Sequence, residues 1–144
     1  MKVRFMRPDD IPSLAPLIER EVTVMPPAFG ATVEAGMQFG RQHLESGGFG
    51  LVVLGDDGAP VGCYIGRAVL MPAATNRIVA DFFYSTSAPG AMGMIVEEIR
   101  HLASLWGCSG FTIGANGRRA EILERWGAKW GMSFLSTSLW GEVS

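Results

Sequence analysis

Residues 88 to 93, "APGAMG", lie between a β-rich run, "IVADFFY", and a long segment with one apolar face. A strand, a glycine turn and a helix in this order can hold an anion, because a helix N-terminus carries unpaired N–H groups and a partial positive charge. Gly90, Ala91, Met92, Gly93 and Met94 would supply the amides, the two glycines leave the approach open, and Pro89 fixes its direction. An ordinary helix cap, with glycine for tight packing, accounts for the same residues. Asp81 is the one acid in the preceding run. A carboxylate in an apolar strand suits a general base, and it equally suits a structural acid paired to an arginine or capping a helix. Tyr84, at the strand end, has either a proton to donate or a ring to pack, and Tyr64 has the same two uses. Alternation puts Val79, Asp81 and Phe83 on one face of the strand and Ala80, Phe82 and Tyr84 on the other. His101 falls off the apolar stripe of its helix and reads as solvated, while His43 lies where it would favour a helix's negative pole. Arg118 and Arg119, after Asn116, either reach a phosphate or stay in solvent. The four tryptophans, Trp106, Trp126, Trp130 and Trp140, read as packing residues.

The elements that must position these groups are legible from periodicity. "KVRFM" alternates as a short strand, and Ile11, Leu14, Leu17 and Ile18 repeat at helical spacing. Pro16 is tolerated early in a helix, so Ser13 is the expected cap rather than Asp10. "TVMPPAFG" is a loop, and Val33, Met37 and Leu44 mark a second helix that ends at "SGG". Two β-rich runs flank "GDDG" and predict an antiparallel hairpin. After "IVADFFY" come the long helix through Trp106, a strand at "GFTIGAN", a short helix at "RRAEILERW" and a closing strand in "GAKWGMSFLSTSLW". The order β, α, α, β, β, β, α, β, α, β predicts an α/β fold with a mixed six-strand sheet and helices on both faces. The strands before and after the crossover helix should be parallel neighbours.

The chain has 144 residues, of which 48% are hydrophobic and 18% charged, enough for a core in one domain, residues 1–144. Cys63 and Cys108 lack metal-ligand spacing or a disulfide framework, so no metal and a reduced, cytoplasmic setting are expected. The first ten residues have no apolar signal core, and no apolar run approaches the roughly 18 residues of a membrane span. A formal net charge of −2, with basic residues scattered, argues against a nucleic-acid partner.

Taken together, "DFFYSTSAPGAMGMIVEEI", the strand ending at Asn116 and the helix closing in "ILERWGAK" resemble the GNAT superfamily of N-acetyltransferases over nearly the whole chain. The resemblance implies a turn of the form Q/R-x-x-G-x-G/A that cradles the pyrophosphate of acetyl-CoA. Its positions fall on residues 88 to 93, where Gly93 matches, Ala88 stands for Gln or Arg, Ala91 stands for the first glycine, and Gly90 is shifted by one. It further implies that the strand through Phe83 and Ser85 pairs by its backbone with the pantetheine arm, and that Asn116 and Arg119 lie near the cofactor. In the family's closing motif Asn116, Ala120, Glu124, Arg125 and Gly127 fit, while Leu123 replaces the tyrosine that commonly protonates the departing thiolate. The implied function is acetyl transfer from acetyl-CoA to a primary amine of a small molecule or protein, with Asp81 and Tyr84 as candidate base and acid. The alternative is a GNAT-fold binding or structural protein without catalysis, similar to short chains encoded among tailed-phage virion genes, with a homo-oligomer or virion partner.

Overall fold

The computed structural model describes residues 1–114, 118–133 and 143, apart from the side chains of 118–120, 122, 123 and 126. These residues fall into two compact units, Met1–Thr112 and Ile113–Ser144.

The first unit is built on four antiparallel strands in chain order: β1 (Lys2–Phe5), β2 (Phe49–Leu54), β3 (Pro60–Leu70) and β4 (Arg77–Thr86). The hairpin at "GDDG" forms as its residues predict. Gly58 takes φ +83°, and the Asp57 carboxylate accepts from the Ala59 N–H at 3.0 Å. Beyond β4, helix α3 (Ala91–Leu105) returns the chain so that Phe111 bridges Val79 in parallel. The Val79 N–H donates to Gly110 O at 3.0 Å, and the Thr112 N–H donates to Val79 O at 2.9 Å. The expected parallel neighbours are therefore present at this bridge. Among the described residues the sheet has four strands, not six; most of the closing segment lies outside them.

Helices cover both faces. A 3-10 turn (Pro8–Leu14), α1 (Ala15–Val22) and α2 (Val33–Glu45) lie on one side. Ile11, Leu14, Leu17 and Ile18 there meet Val52, Cys63 and Ile65 in a buried cluster. Helix α1 starts late, as Pro16 requires. Ser13 is not its cap, however, because the Ser13 hydroxyl donates to Asp10 O at 2.6 Å within the 3-10 turn and Leu14 takes the cap position. Thr32 caps α2, its Oγ1 accepting from the Ala35 N–H at 3.1 Å. On the other face α3 buries Ile95, Val96, Ile99 and Leu102. Its first residue comes close because β3 has glycine there: a Cβ on Gly62 would stand 3.3 Å from both Ala91 Cβ and Val53 Cβ.

In the second unit, α4 (Arg118–Lys129) stops where Gly131 takes φ +69° and the Met132 N–H donates back to Gly127 O at 2.8 Å.

Candidate functional site

Strand β4 carries the first functional feature, a bulge. Ile65 pairs with Phe83 and Gly66 with Asp81, so Phe82 stands opposite no residue of β3. This corrects the uninterrupted alternation expected from the sequence. The extra residue shifts the phase, so that Phe82 and Phe83 both line a cavity against α1 and α2. Asp81 stays on the opposite, α3 face, paired across Gly66 beneath the Tyr64 ring.

Two interactions accompany the bulge. A side chain at Gly66 has no room, because its Cβ would lie 2.6 Å from the Tyr64 ring and 2.8 Å from Ala80 O. On the cavity side, His43 Nε2 lies 2.7 Å from Gly66 O, the geometry of an N–H donated to that carbonyl. The His43 ring stacks with Phe39 at 5.8 Å and lies 5.1 Å from Phe82. His43, in the last turn of α2, is thus a buried support of the bulge. Only the register of β3 on β4 discloses this. His101 is exposed on α3, as its position off the stripe indicates.

Asp81 is half-buried, and its Oδ1 accepts from Thr112 Oγ1 at 3.0 Å, tying β4 to the segment after α3. The Tyr64 hydroxyl is buried without a hydrogen bond among the described residues. Burial first, and then the Asp81 charge, hold its phenol well above the ordinary value of 10.0. Tyr84 pairs with Tyr64 across the ladder. Ser85, buried opposite Cys63, leaves its Oγ unpartnered among the described residues. Burial pushes the Cys63 thiol up to about 12, so it is a neutral wall group and not a nucleophile.

The turn follows directly. The Ser87 N–H donates to Val61 O at 2.8 Å and anchors the strand end on β3. Gly90 then takes φ +85°, a left-handed conformation that residues with a Cβ rarely adopt, and caps α3. The Ala91 N–H reaches Ala88 O and the Met94 N–H reaches Gly90 O. The amides of Met92 and Gly93 have no backbone acceptor among the described residues. No side chain caps the helix, and its first turn holds no acid. The structure therefore brings Phe83, Ser85, Gly90, Ala91, Met92, Gly93 and Met94 into one continuous strand end and helix start. Asn116 lies outside the described residues, and Arg119 is described only as part of α4.

The cavity has a volume of about 300 Å³ and lies between α1, α2 and the bulge, with Ile11, Ile18, Phe39, Ile65, Phe82 and Phe83 among its walls. Among the described residues no cluster of three or more His, Cys, Asp or Glu could hold a metal ion. No helix of theirs is long and apolar enough to cross a membrane.

No family model matches the chain, and no curated protein matches it in sequence. Solved structures do match in fold. A Trypanosoma brucei acetyltransferase aligns over 99% of both chains with a TM-score of 0.74 at 11% identity. AAC(6')-Iy, in complex with the bisubstrate analogue CoA-S-monomethyl-acetylneamine, aligns over 99% of this chain and 97% of its own, with a TM-score of 0.73 at 10% identity. A GNAT family acetyltransferase of Staphylococcus aureus aligns over 99% of this chain and 98% of its own, with a TM-score of 0.69 at 8% identity. At such identities the likeness is one of fold, and the fold is that of the GNAT acetyltransferases.

Proposed function

We propose that the chain, as one GNAT-like domain, transfers an acetyl group from acetyl-CoA to a primary amine of a small molecule or protein. The observation that carries this reading is the succession along β4 into α3: a bulge at Phe82, then a left-handed glycine and two amides without a described acceptor. Such amides fit a pyrophosphate, since no capping side chain or first-turn acid competes for them. The amides of Met92 and Gly93 meet the phosphates, Gly90, Ala91 and Met94 shape the turn that presents them, and the backbone at Phe83 and Ser85 lies along the pantetheine arm. The bulge takes backbone polar groups out of the ladder, which suits them to the thioester oxygen. One structural neighbour, AAC(6')-Iy, is in complex with a CoA-containing bisubstrate analogue, which supports a CoA ligand for this fold.

In the transfer, the amine nitrogen bonds to the acyl carbon, the C–S bond breaks, and its electron pair leaves on sulfur. The proton lost from nitrogen passes to Asp81 or to water. The Thr112 hydroxyl, donating to Asp81 Oδ1 at 3.0 Å, holds that carboxylate in place. The sulfur leaves as thiolate or takes a proton from Tyr84.

A second reading, a GNAT-fold binding protein without catalysis, is favoured by one observation: Leu123 stands at the position of the family's proton donor. Acetyl-CoA should raise the thermal midpoint of the pure protein, because a ligand of the native state stabilises it. CoA should also be released when amines are added. A shift without release supports the binding reading, and neither shift nor release overturns both.

A further inference from the structure

Resting on the acetyltransferase reading, we propose that the cavity between α1, α2 and the β4 bulge selects the acceptor: a primary amine carrying one uncharged aromatic body, in preference to polyamines or aminoglycosides. The described lining contains no charged side chain. Its hydrogen-bonding side chains are Thr32, an exposed residue whose hydroxyl accepts from Ala35 as the α2 cap, and Cys63, a buried neutral thiol and so a weak donor. A second ammonium entering this space would lose water and meet no charged side chain, at a cost of several kcal/mol. An apolar body loses nothing.

Size and shape agree with an arene. A cavity of about 150 Å³ holds benzene, and this one, at about 300 Å³, leaves room for a ring and a short linker. At its walls Phe39 and Phe82 remain 44% and 51% exposed, with ring centroids 6.4 Å apart and the His43 ring in contact with both. An aromatic guest would cover this exposed pair in edge or offset contact. Phe82 is also the bulged residue, so a ring held here leaves its amine beside the freed backbone groups where the thioester is proposed to lie; on this face, away from Asp81, the amine proton passes to water.

The test uses the full chain and three probes, 2-phenylethylamine, spermidine and hexanoyl-CoA, with binding measured by calorimetry and acetyl-CoA binding measured separately. Phenylethylamine should bind at least 10-fold more tightly than spermidine. Ala35→Trp, at an exposed lining position of α2, should weaken phenylethylamine at least 10-fold and leave acetyl-CoA binding unchanged. Phe82→Ala should weaken phenylethylamine as well. Equal or tighter binding of spermidine, or indifference of phenylethylamine to both substitutions, overturns the inference while leaving the acetyltransferase reading to its own assay. Tighter binding of hexanoyl-CoA than of acetyl-CoA, lost in Ala35→Trp, assigns the cavity to the acyl chain and also overturns it. Amine binding without acetyl-CoA binding keeps the ligand class and sinks the transferase reading instead.

Discussion

Asp81 meets Thr112 across 31 residues of chain, and that contact makes its role separable by substitution. Asp81→Asn keeps an oxygen to accept the Thr112 hydroxyl, so the fold should persist. If Asp81 takes the amine proton, the acetylation rate falls by about 100-fold or more; an unchanged rate leaves it as a structural tie. His43 gives the converse case, a stability effect with a defined atom behind it. His43→Leu strips Gly66 O of a buried donor and should cost about 1–3 kcal/mol. Urea unfolding would show this as a lower midpoint, partly recovered in His43→Gln, which retains an N–H; an unmoved midpoint would remove His43 as support of the bulge. At Leu123 the expectation concerns leaving-group chemistry. A thiol with a pKa of about 8.5 leaves tolerably as an anion, so a missing acid slows transfer without forbidding it. Leu123→Tyr should therefore raise CoA release in an active enzyme, and zero release from both proteins speaks for the binding reading.

At the level of elements, the start of α3 has opposite requirements for the fold and for its proposed ligand. Gly93 is the third residue of the helix, where a glutamate is favoured by the helix dipole. Gly93→Glu should leave the thermal midpoint near or above that of the parent. The same carboxylate would stand against a pyrophosphate, so acetyl-CoA binding should vanish. A variant that keeps both its midpoint and its acetyl-CoA affinity would place the ligand away from this turn. The bulge is likewise a property of two strands, since Phe82 is left over only because Gly66 faces Asp81.

For the whole molecule, the Arg4 and Asp10 pair links the β1 edge of the sheet to the 3-10 turn below the cavity. Arg4 holds Asp10 through two bonds, at 2.8 and 2.7 Å, and the Arg7 N–H adds a third at 2.7 Å. The Arg4 hydrogen bonds, reinforced by that N–H and opposed by partial burial, hold the Asp10 carboxyl below its ordinary value of 3.8. A carboxyl depressed in the folded state adds stability above its unfolded value and loses it as the pH falls through the folded one. Unfolding midpoints should therefore decline below about pH 4, and Asp10→Asn should flatten that decline while lowering stability at neutral pH by about 1 kcal/mol. A parent protein and variant with parallel acid profiles would refute the assignment.

Much of the architecture was written in local patterns. Alternation located the hairpin around "GDDG" and the strand before the turn, the spacing of Met92, Ile95, Val96 and Ile99 located α3, and "APGAMG" marked where strand becomes helix. Those signals are short-range, because a side-chain period or a turn is set within a few residues. The bulge at Phe82 is different: it follows from the pairing of β3 with β4, which no run of β4 residues encodes. From it come the face occupied by Asp81, the burial of His43 against Gly66 and the apolar cavity under Phe39. Asp81 reads the same in sequence whether it faces a cleft or a threonine 31 positions away, and His43 reads as a helix-end residue until the sheet supplies its acceptor. Residue types and element order are determined along the chain, whereas register, and with it what each side chain touches, is decided only when distant strands pair.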